Sequence, residues 1–254
     1  MSGRIKLKLI PKIILFAVVA GLGYFLVIVR PSERPVNHVK INVDKSFDQF
    51  FINDKEVERL MTDKGREQLL GVENGKVNLR QLESRIKDHP FVSKADVSRD
   101  YDGDLYVDVE QKRLMARLIR PVAKDAYLSE HRELLPTSDK FTARVLLIDG
   151  AFVDKIILQN QDTLKYRKEL LDLVTDIHND RFLRAQIAQL HVDQDCQITM
   201  YPQVGDERIV FGKPVSIDEK LKKLKAYYDY VIPSKGWGVY DKINLKYKDQ
   251  IVCE

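Results

Sequence analysis

Apolar and polar residues alternate with a period of two in three segments of the first half of the chain, and this period predicts three strands that each bury one face. The alternating apolar positions are Val39, Ile41 and Val43, then Ala95 and Val97, then Leu105, Val107 and Val109. The pair Asp102-Gly103 separates the last two segments. Asp-Gly is a strong hairpin signal, and it predicts a type I′ turn with positive φ at both residues.

Two helices are predicted between the first and the second of these strands. Residues 53–62 have the pattern of a short helix, and a second helix begins after Asn78. Asn78 is a good N-cap, and Gln81 three residues later approximates a capping box. The residue before a proline disfavours the α conformation, so this helix ends before Pro90. The order strand, helix, helix, strand, strand therefore occupies residues 39–111.

The second half of the chain contains two amphipathic helical patterns. Asp162 or Thr163 can cap the first, and Ser216 with Glu219 forms a capping box for the second, which ends at Pro233. The inward positions are Leu164, Leu170, Leu171, Val174 and Ile177 in the first helix, and Leu221, Leu224 and Tyr228 in the second. Residues 186–212 predict two or three strands between the helices. Strands that pair locally, without alternating one for one with helices, indicate the α+β class.

The last residues of the chain alternate again and predict a terminal strand pair. A turn is expected at Lys248-Asp249 and a final strand from Gln250. One predicted face carries Ile243, Leu245 and Tyr247, and the other carries Asn244, Lys246 and Lys248. At the edge of a sheet, such strands expose unpaired backbone N–H and C=O groups. These groups can pair with a partner strand, or lysine side chains on the edge strand can prevent such pairing.

Residues 13–29 contain no charged residue and predict a membrane-spanning helix. At 1.5 Å per residue they extend roughly 26 Å, close to the hydrocarbon thickness of about 30 Å. A signal peptide cleaved near Gly21 and Gly23 is the alternative, although the apolar run continues past that point. The basic residues before the span place the N-terminus in the cytoplasm and the rest of the chain outside it.

The distribution of charge and the candidate ligand residues argue against nucleic-acid, nucleotide and metal binding. The only charged residues before position 13 are four basic ones, and they account for the whole formal net charge of +4. The rest of the chain is therefore neutral overall. A neutral chain has no general excess of positive charge for binding nucleic acid. In the segment FGKP, Pro214 stands where a phosphate-binding loop needs Ser or Thr, and the five histidines lack a second ligand at metal spacing. We expect no catalytic, cofactor or metal site. A disulfide between Cys196 and Cys253 is left open.

Several segments together resemble the FtsQ/DivIB family of bacterial cell-division proteins, in a version similar to those of the Bacteroidota. They are the element order within residues 39–111, the segment HPFVSKADV at 89–97, and a basic tail before a single apolar span. The resemblance continues through VDVEQKRLMARLI, AYLSEHRELLPTSDKFTARVLLIDG and YDKINLKYKDQIVC.

The chain departs from the family's pattern at identifiable positions. The family often has Glu where Gln111 stands and Pro where Leu114 stands, and a glycine usual in the hairpin turn is replaced by Arg132 or Glu133. The family's Asp-Leu-Arg-Tyr core corresponds to Asn244, Leu245, Lys246 and Tyr247.

The resemblance implies an α+β fold with a single N-terminal transmembrane helix, a POTRA-type β-α-α-β-β module, and a larger mixed β domain with two amphipathic helices. The implied segments are a cytoplasmic basic tail at 1–12, the transmembrane helix at 13–29, a linker at 30–38, the POTRA-like domain at 39–111 and the β domain at 112–254. It further implies a non-enzymatic inner-membrane scaffold at the division site that links early and late division proteins, with the bulk of the chain in the periplasm.

The implied partner is an FtsB/DivIC-like single-pass coiled-coil protein, itself paired with an FtsL-like protein. In the family the C-terminal strand receives a segment of this partner by β-addition, with the tyrosine of the motif important to the contact. The implied partner-binding residues are Ile243, Asn244, Leu245, Lys246, Tyr247, Lys248, Gln250, Ile251 and Val252. A second interface with other division proteins is expected on the strand around residues 94–100, at Lys94, Asp96 and Ser98.

A function from another class fits the same POTRA-like order. A POTRA-containing component of a protein transport or outer-membrane assembly system would handle unfolded substrate strands in place of a fixed partner. The absence of a second POTRA-like pattern in the sequence argues against it.

Overall fold

The computed structural model of the protein describes residues 10–24, 34–45, 50–121, 123–158 and 165–254. The chain divides into two compact units, Met1–Gln111 and Lys112–Glu254. Each unit has its own sheet and its own hydrophobic core. The α+β class is confirmed, because helices and mostly locally paired strands build both units.

The N-terminal helix α1, Ile10–Tyr24, covers part of the predicted membrane span. Its large apolar side chains from Ile14 to Tyr24 are each more than half exposed. Within the described ranges, no helix has both the length and the apolar character that a membrane crossing requires. The rest of the predicted span, residues 25–29, lies outside the described residues, as do residues 1–9 of the tail and 30–33 of the linker.

The first unit has the predicted order of elements. They are β1 Val39–Val43, α2 Asp54–Met61, α3 Leu79–Lys87, β2 Val92–Arg99 and β3 Leu105–Gln111. Strand β3 is central, pairing parallel with β1 and antiparallel with β2. The apolar faces of the strands pack against the buried helix residues Val57, Met61, Leu82 and Ile86.

The predicted cap of α3 is confirmed. The Asn78 side chain accepts a hydrogen bond from the Gln81 N–H over 3.2 Å, and the helix ends at Lys87, ahead of Pro90. Helix α2 has the same kind of start, because the Asn53 side chain accepts from the Glu56 N–H over 2.9 Å. Local hydrogen bonds therefore fix where both helices begin.

The turn between β2 and β3 differs from the prediction. The Asp100 N–H donates to the Asp104 carbonyl over 3.1 Å, so three residues form the loop. The Asp100 carboxylate accepts from the N–H groups of Asp102 and Asp104, each at 2.9 Å. Only Gly103 in this loop has a positive φ, of 95°. The type I′ prediction was wrong because the Asp100 side chain organises a longer turn.

The second unit contains one broad mixed sheet. Its strands are β4 Leu114–Leu118, β5 Ala126–Ser129, β6 Leu134–Pro136, β7 Leu146–Asp149, β8 Ile187–Val192, β9 Ile198–Pro202, β10 Arg208–Gly212, β11 Lys242–Asn244 and β12 Val252–Cys253. Their order across the sheet is β12-β11-β10-β9-β8-β7-β4-β5-β6. The pairs β4–β7, β7–β8 and β10–β11 are parallel and the others are antiparallel. The two edges of the sheet are therefore β12 and β6.

The helices of the second unit include the two predicted amphipathic ones. They are α4 Val153–Leu158, α5 Arg167–Asn179, α6 Arg181–Gln186, α7 Ile217–Ala226 and α8 Ile232–Lys235, with a π-helix, Tyr227–Val231, joining α7 to α8. The predicted inward residues are buried: Leu170, Leu171, Val174 and Ile177 of α5, and Leu221, Leu224 and Tyr228 of α7 and the π-helix. Helices α4, α6 and α8 were not predicted.

The ends of these helices depart from the predictions. Helix α5 begins after Tyr166, whereas Asp162, Thr163 and Leu164 lie outside the described residues. Ser216 precedes α7 with a left-handed φ of 51° and makes no side-chain cap hydrogen bond. The predicted capping box was therefore wrong, because a capping side chain needs an extended backbone at that position.

Helical structure also continues through Pro233, where it was predicted to end. The π-helix ends at Val231, and a new helix, α8, begins at Ile232. Pro233 therefore lies in the first turn of α8, where a helix does not need the N–H group that proline lacks. In the β5–β6 hairpin, Arg132 has a positive φ of 61°, a backbone conformation that favours glycine.

Candidate partner-binding edge

Strand β12 is the outermost strand beside β11. Lys242 and Glu254 exchange backbone hydrogen bonds at 3.0 and 3.1 Å, and Ile243 lies opposite Cys253. In an antiparallel pair, alternate residues bond to the same neighbour. The backbone N–H and C=O groups of Cys253 consequently face away from β11. These outward groups form an edge to which a further strand can pair.

The predicted partner-binding residues lie in three settings. Ile243 and Leu245 are fully buried in the core, and Asn244 is buried with its side-chain oxygen accepting from the Lys246 N–H over 3.1 Å. Val252 on β12 and Ile251 just before it are half-buried. The exposed members are Lys246, Tyr247, Lys248 and Gln250.

The prediction that Tyr247 continues the strand face of Ile243 and Leu245 was wrong. Strand β11 ends at Asn244, so the alternation stops before it reaches Tyr247, which lies in a turn with 48% of its side chain exposed. We call residues 245–250 the edge turn. The turn predicted at Lys248-Asp249 is present within it, with a φ of 57° at Asp249.

Helix α7 contacts the edge turn, and the sequence does not predict this contact. The Lys223 ammonium donates to the carbonyl oxygens of Leu245 and Tyr247, at 3.0 and 2.6 Å. Glu219, one helical turn earlier, pairs with Lys223 over 3.3 Å. The hydrogen bond from Lys223 lowers the pKa of Glu219. The i, i+4 spacing of Glu219 and Lys223 could have suggested their ion pair, but the sequence contains no signal for the contact with the turn.

The surroundings of the edge turn are basic. Lys220 is buried, and its ammonium donates to the Lys213 carbonyl over 2.7 Å and lies 4.7 Å from the centre of the Phe211 ring. Burial lowers the pKa of Lys220 to about 8, and the nearby charges of Lys223 and Lys246 contribute in the same direction. The alkyl part of Lys246 lies against Gly212, where a Cβ would approach it to 2.7 Å. Close packing at Gly212 therefore fixes the base of the Lys246 side chain.

The second predicted interface is on β2, which is an edge strand of the first unit. The side chains of Lys94, Asp96 and Ser98 are exposed, and Lys94 pairs with Glu110 over 3.5 Å. The Val97 N–H points away from β3 and donates to the Glu83 carboxylate of α3 over 3.2 Å. A strand added here would have to displace Glu83 from that N–H.

Titratable groups elsewhere make simple structural contacts. His38, His178 and His191 each pair with one carboxylate, of Asp104, Glu130 and Asp149 respectively, at 3.0 to 3.2 Å. Among the described residues, no three or more His, Cys, Asp or Glu side chains are grouped so that they could hold a metal ion. The thiols of Cys196 and Cys253 are unpaired, and burial raises the pKa of Cys196 to about 12.

A three-stranded β-α-α-β-β unit followed by a broad mixed sheet with an open terminal strand defines an α+β protein. The chain belongs to the FtsQ/DivIB family: the family model described as FtsQ/DivIB, C-terminal related, matches residues 115–254. A POTRA-like domain model matches residues 35–110. No curated protein matches the chain. These domains indicate a cell-division scaffold, and the family implies a location at the membrane of the division site.

Proposed function

We propose that the chain is a non-enzymatic, single-pass scaffold of the division machinery that links early and late division proteins. It receives a β segment from an FtsB/DivIC-like coiled-coil protein, which is itself paired with an FtsL-like protein. The observation that carries the proposal is the outer side of β12, where the backbone groups of Cys253 face away from β11. Backbone pairing at such an edge supplies affinity, and neighbouring side chains supply specificity.

The exposed side chains of the edge turn provide the specific part of the contact. Tyr247 is a half-exposed aromatic residue in the turn that leads to the open strand, and aromatic residues are frequent energetic centres of interfaces. Lys246 and Lys248 are exposed beside it and favour an acidic residue on the partner. Lys246 keeps the positive charge of the arginine usual in the family, but it lacks the bidentate geometry.

The proposal includes the membrane topology. Residues 13–29 anchor the chain in the inner membrane, with residues 1–12 in the cytoplasm and residues 30–38 as a linker to the periplasmic domains at 39–111 and 112–254. Support comes from the uncharged sequence of the span, from the four basic residues before it, and from the exposed apolar side chains of α1.

Photo-crosslinking in living cells tests the partner assignment. A photoreactive amino acid at position 247 is expected to capture a small single-pass coiled-coil protein, identified by mass spectrometry. Position 230 is the matched control, because Tyr230 is a more exposed tyrosine, at 75%, on the π-helix of the same unit. Capture of diverse outer-membrane precursors from position 247 would contradict the scaffold proposal and favour a transport or assembly component.

A charge substitution tests the same contact by co-purification. Tyr247→Glu places a carboxylate in the proposed interface and should abolish recovery of the coiled-coil partner, while Tyr230→Glu should leave it unchanged. Circular dichroism checks that both variants keep the fold. Full recovery of the partner with folded Tyr247→Glu protein would rule out this interface.

A further inference from the structure

The edge turn lies in a break of the backbone ladder. Strand β11 ends at Asn244 and β12 begins at Val252, so the residues between them make no β11–β12 pairs. The Leu245 N–H bonds to the Val210 carbonyl on β10, over 3.0 Å. The carbonyl oxygens of Leu245 and Tyr247 accept hydrogen bonds from Lys223 of α7. The conformation of the edge turn is therefore set largely from outside the strand pair.

We propose that Lys223 is a positioning residue for the partner-binding edge. Its ammonium group fixes the edge turn in the conformation that presents Tyr247 beside β12, and it acts through the turn without touching the partner. This inference rests on the proposed function, which makes that edge the binding site.

Lys223 is largely buried, whereas Lys246 and Lys248 of the edge turn are exposed. Only 14% of its side chain is exposed, and two carbonyl oxygens and the Glu219 carboxylate surround its ammonium group. Hydrogen bonds from a charged donor are stronger than neutral ones. Lys246 and Lys248 have exposed side chains and can contact a partner. Lys223 instead binds the backbone of the edge turn through the carbonyl oxygens of Leu245 and Tyr247.

The hydrogen bonds from Lys223 should raise the affinity for a partner because they order the edge turn before binding. Strand β12 spans two residues, so backbone pairing along it provides few hydrogen bonds and the position of Tyr247 carries more of the contact. A loop already held in its bound conformation avoids the entropy cost of ordering on association. Removing the ammonium group should therefore weaken binding even though no contact with the partner is lost.

Hydrogen exchange of the full chain in detergent micelles, without any partner, tests the positioning. Lys223→Met removes the ammonium group and keeps most of the alkyl chain, and Lys222→Met is the matched control on the exposed side of α7. We expect backbone amides of residues 245–252 to exchange about tenfold faster in Lys223→Met, relative to the amides of β8 and β9. Lys223→Arg retains donors for the two carbonyls and should restore most of the protection. Unchanged exchange at 245–252 in Lys223→Met would overturn the inference whether or not a partner is known.

Affinity for the extracytoplasmic segment of the DivIC-like protein from the same cell tests the consequence. Lys223→Met should weaken binding about tenfold, equivalent to about 1.4 kcal/mol, while Lys222→Met binds like the wild type. Faster exchange with unchanged affinity would contradict the inference. If the wild-type chain fails to bind this segment, the proposed function fails, and the exchange result still decides whether Lys223 positions the turn.

Discussion

Lys220 shows how a single buried amine makes the stability of the second unit depend on pH. Its pKa is lowered by burial to about 8, whereas the unfolded chain restores the ordinary value near 10.5. Between these pH values the unfolded state binds a proton that the folded state does not, so the free energy of unfolding rises with pH. In the middle of this window the slope from one such group is about 1.4 kcal/mol per pH unit.

Lys220→Met should remove this slope. The difference in unfolding free energy between wild type and variant, measured by urea titration from pH 7 to 9.5, should be flat below about pH 8 and then shift in favour of the wild type. The range stops there because burial raises the pKa of Tyr227 to about 12, so ionisation of that tyrosine in the unfolded chain lowers the stability of both proteins at higher pH. Lys222→Met, at an exposed neighbour, should keep the wild-type slope. A slope that survives in Lys220→Met would assign the pH dependence to another group.

At the scale of elements, two helix starts that look equivalent in sequence should respond differently to the same substitution. Asn78→Ala removes the acceptor of the Gln81 N–H and should cost about 1 kcal/mol in the first unit. Ser216→Ala removes a hydroxyl that makes no cap hydrogen bond and should change the stability of the second unit by less than about 0.5 kcal/mol. Urea-dependent hydrogen exchange of α3 and α7 peptides in the full chain separates the two units. Equal losses from both substitutions would contradict the capping assignment.

The same contrast shows which elements the sequence can predict. Strands β1, β2 and β3 follow from the period of two, and the start of α3 follows from Asn78, because each signal lies within the element that it describes. The Asp102-Gly103 and Ser216 predictions failed because the backbone there follows other contacts. The Asp100 carboxylate binds backbone N–H groups of the turn between β2 and β3 and gives it a three-residue loop. Ser216 adopts a left-handed conformation, which its residue type does not predict.

The candidate site could be predicted from the sequence only in part. The segment at 243–252 and its turn follow from alternation and from the family resemblance. The exposure of Tyr247 depends on where pairing with β12 stops, and the role of Lys223 depends on a contact between residues 22 and 24 positions apart in sequence. Neither feature leaves a local pattern, because both arise from tertiary packing.

At the scale of the whole sheet, strand order decides which edge is available. Strand β6 ends the sheet on one side, and Pro136 on its outer side has no N–H to offer to another strand. Strand β12 ends it on the other side, with the N–H of Cys253 directed outward. The contribution of the β12 edge can be tested at a single backbone atom.

Cys253→Pro removes the outward N–H and leaves the backbone bonds between β12 and β11 in place, because those bonds belong to residues 252 and 254. We expect this variant to fold, with a loss of about 1 kcal/mol from side-chain packing, and to lose binding of the DivIC-like segment. Cys253→Ala loses the thiol but keeps the N–H, so it should bind like the wild type. Val252→Pro removes an inward N–H and should release the strand from β11, which thermal unfolding and hydrogen exchange would detect. Equal affinity of folded Cys253→Pro and Cys253→Ala would show that the partner does not pair with the N–H of Cys253, and strand addition on this side of β12 would have to be abandoned.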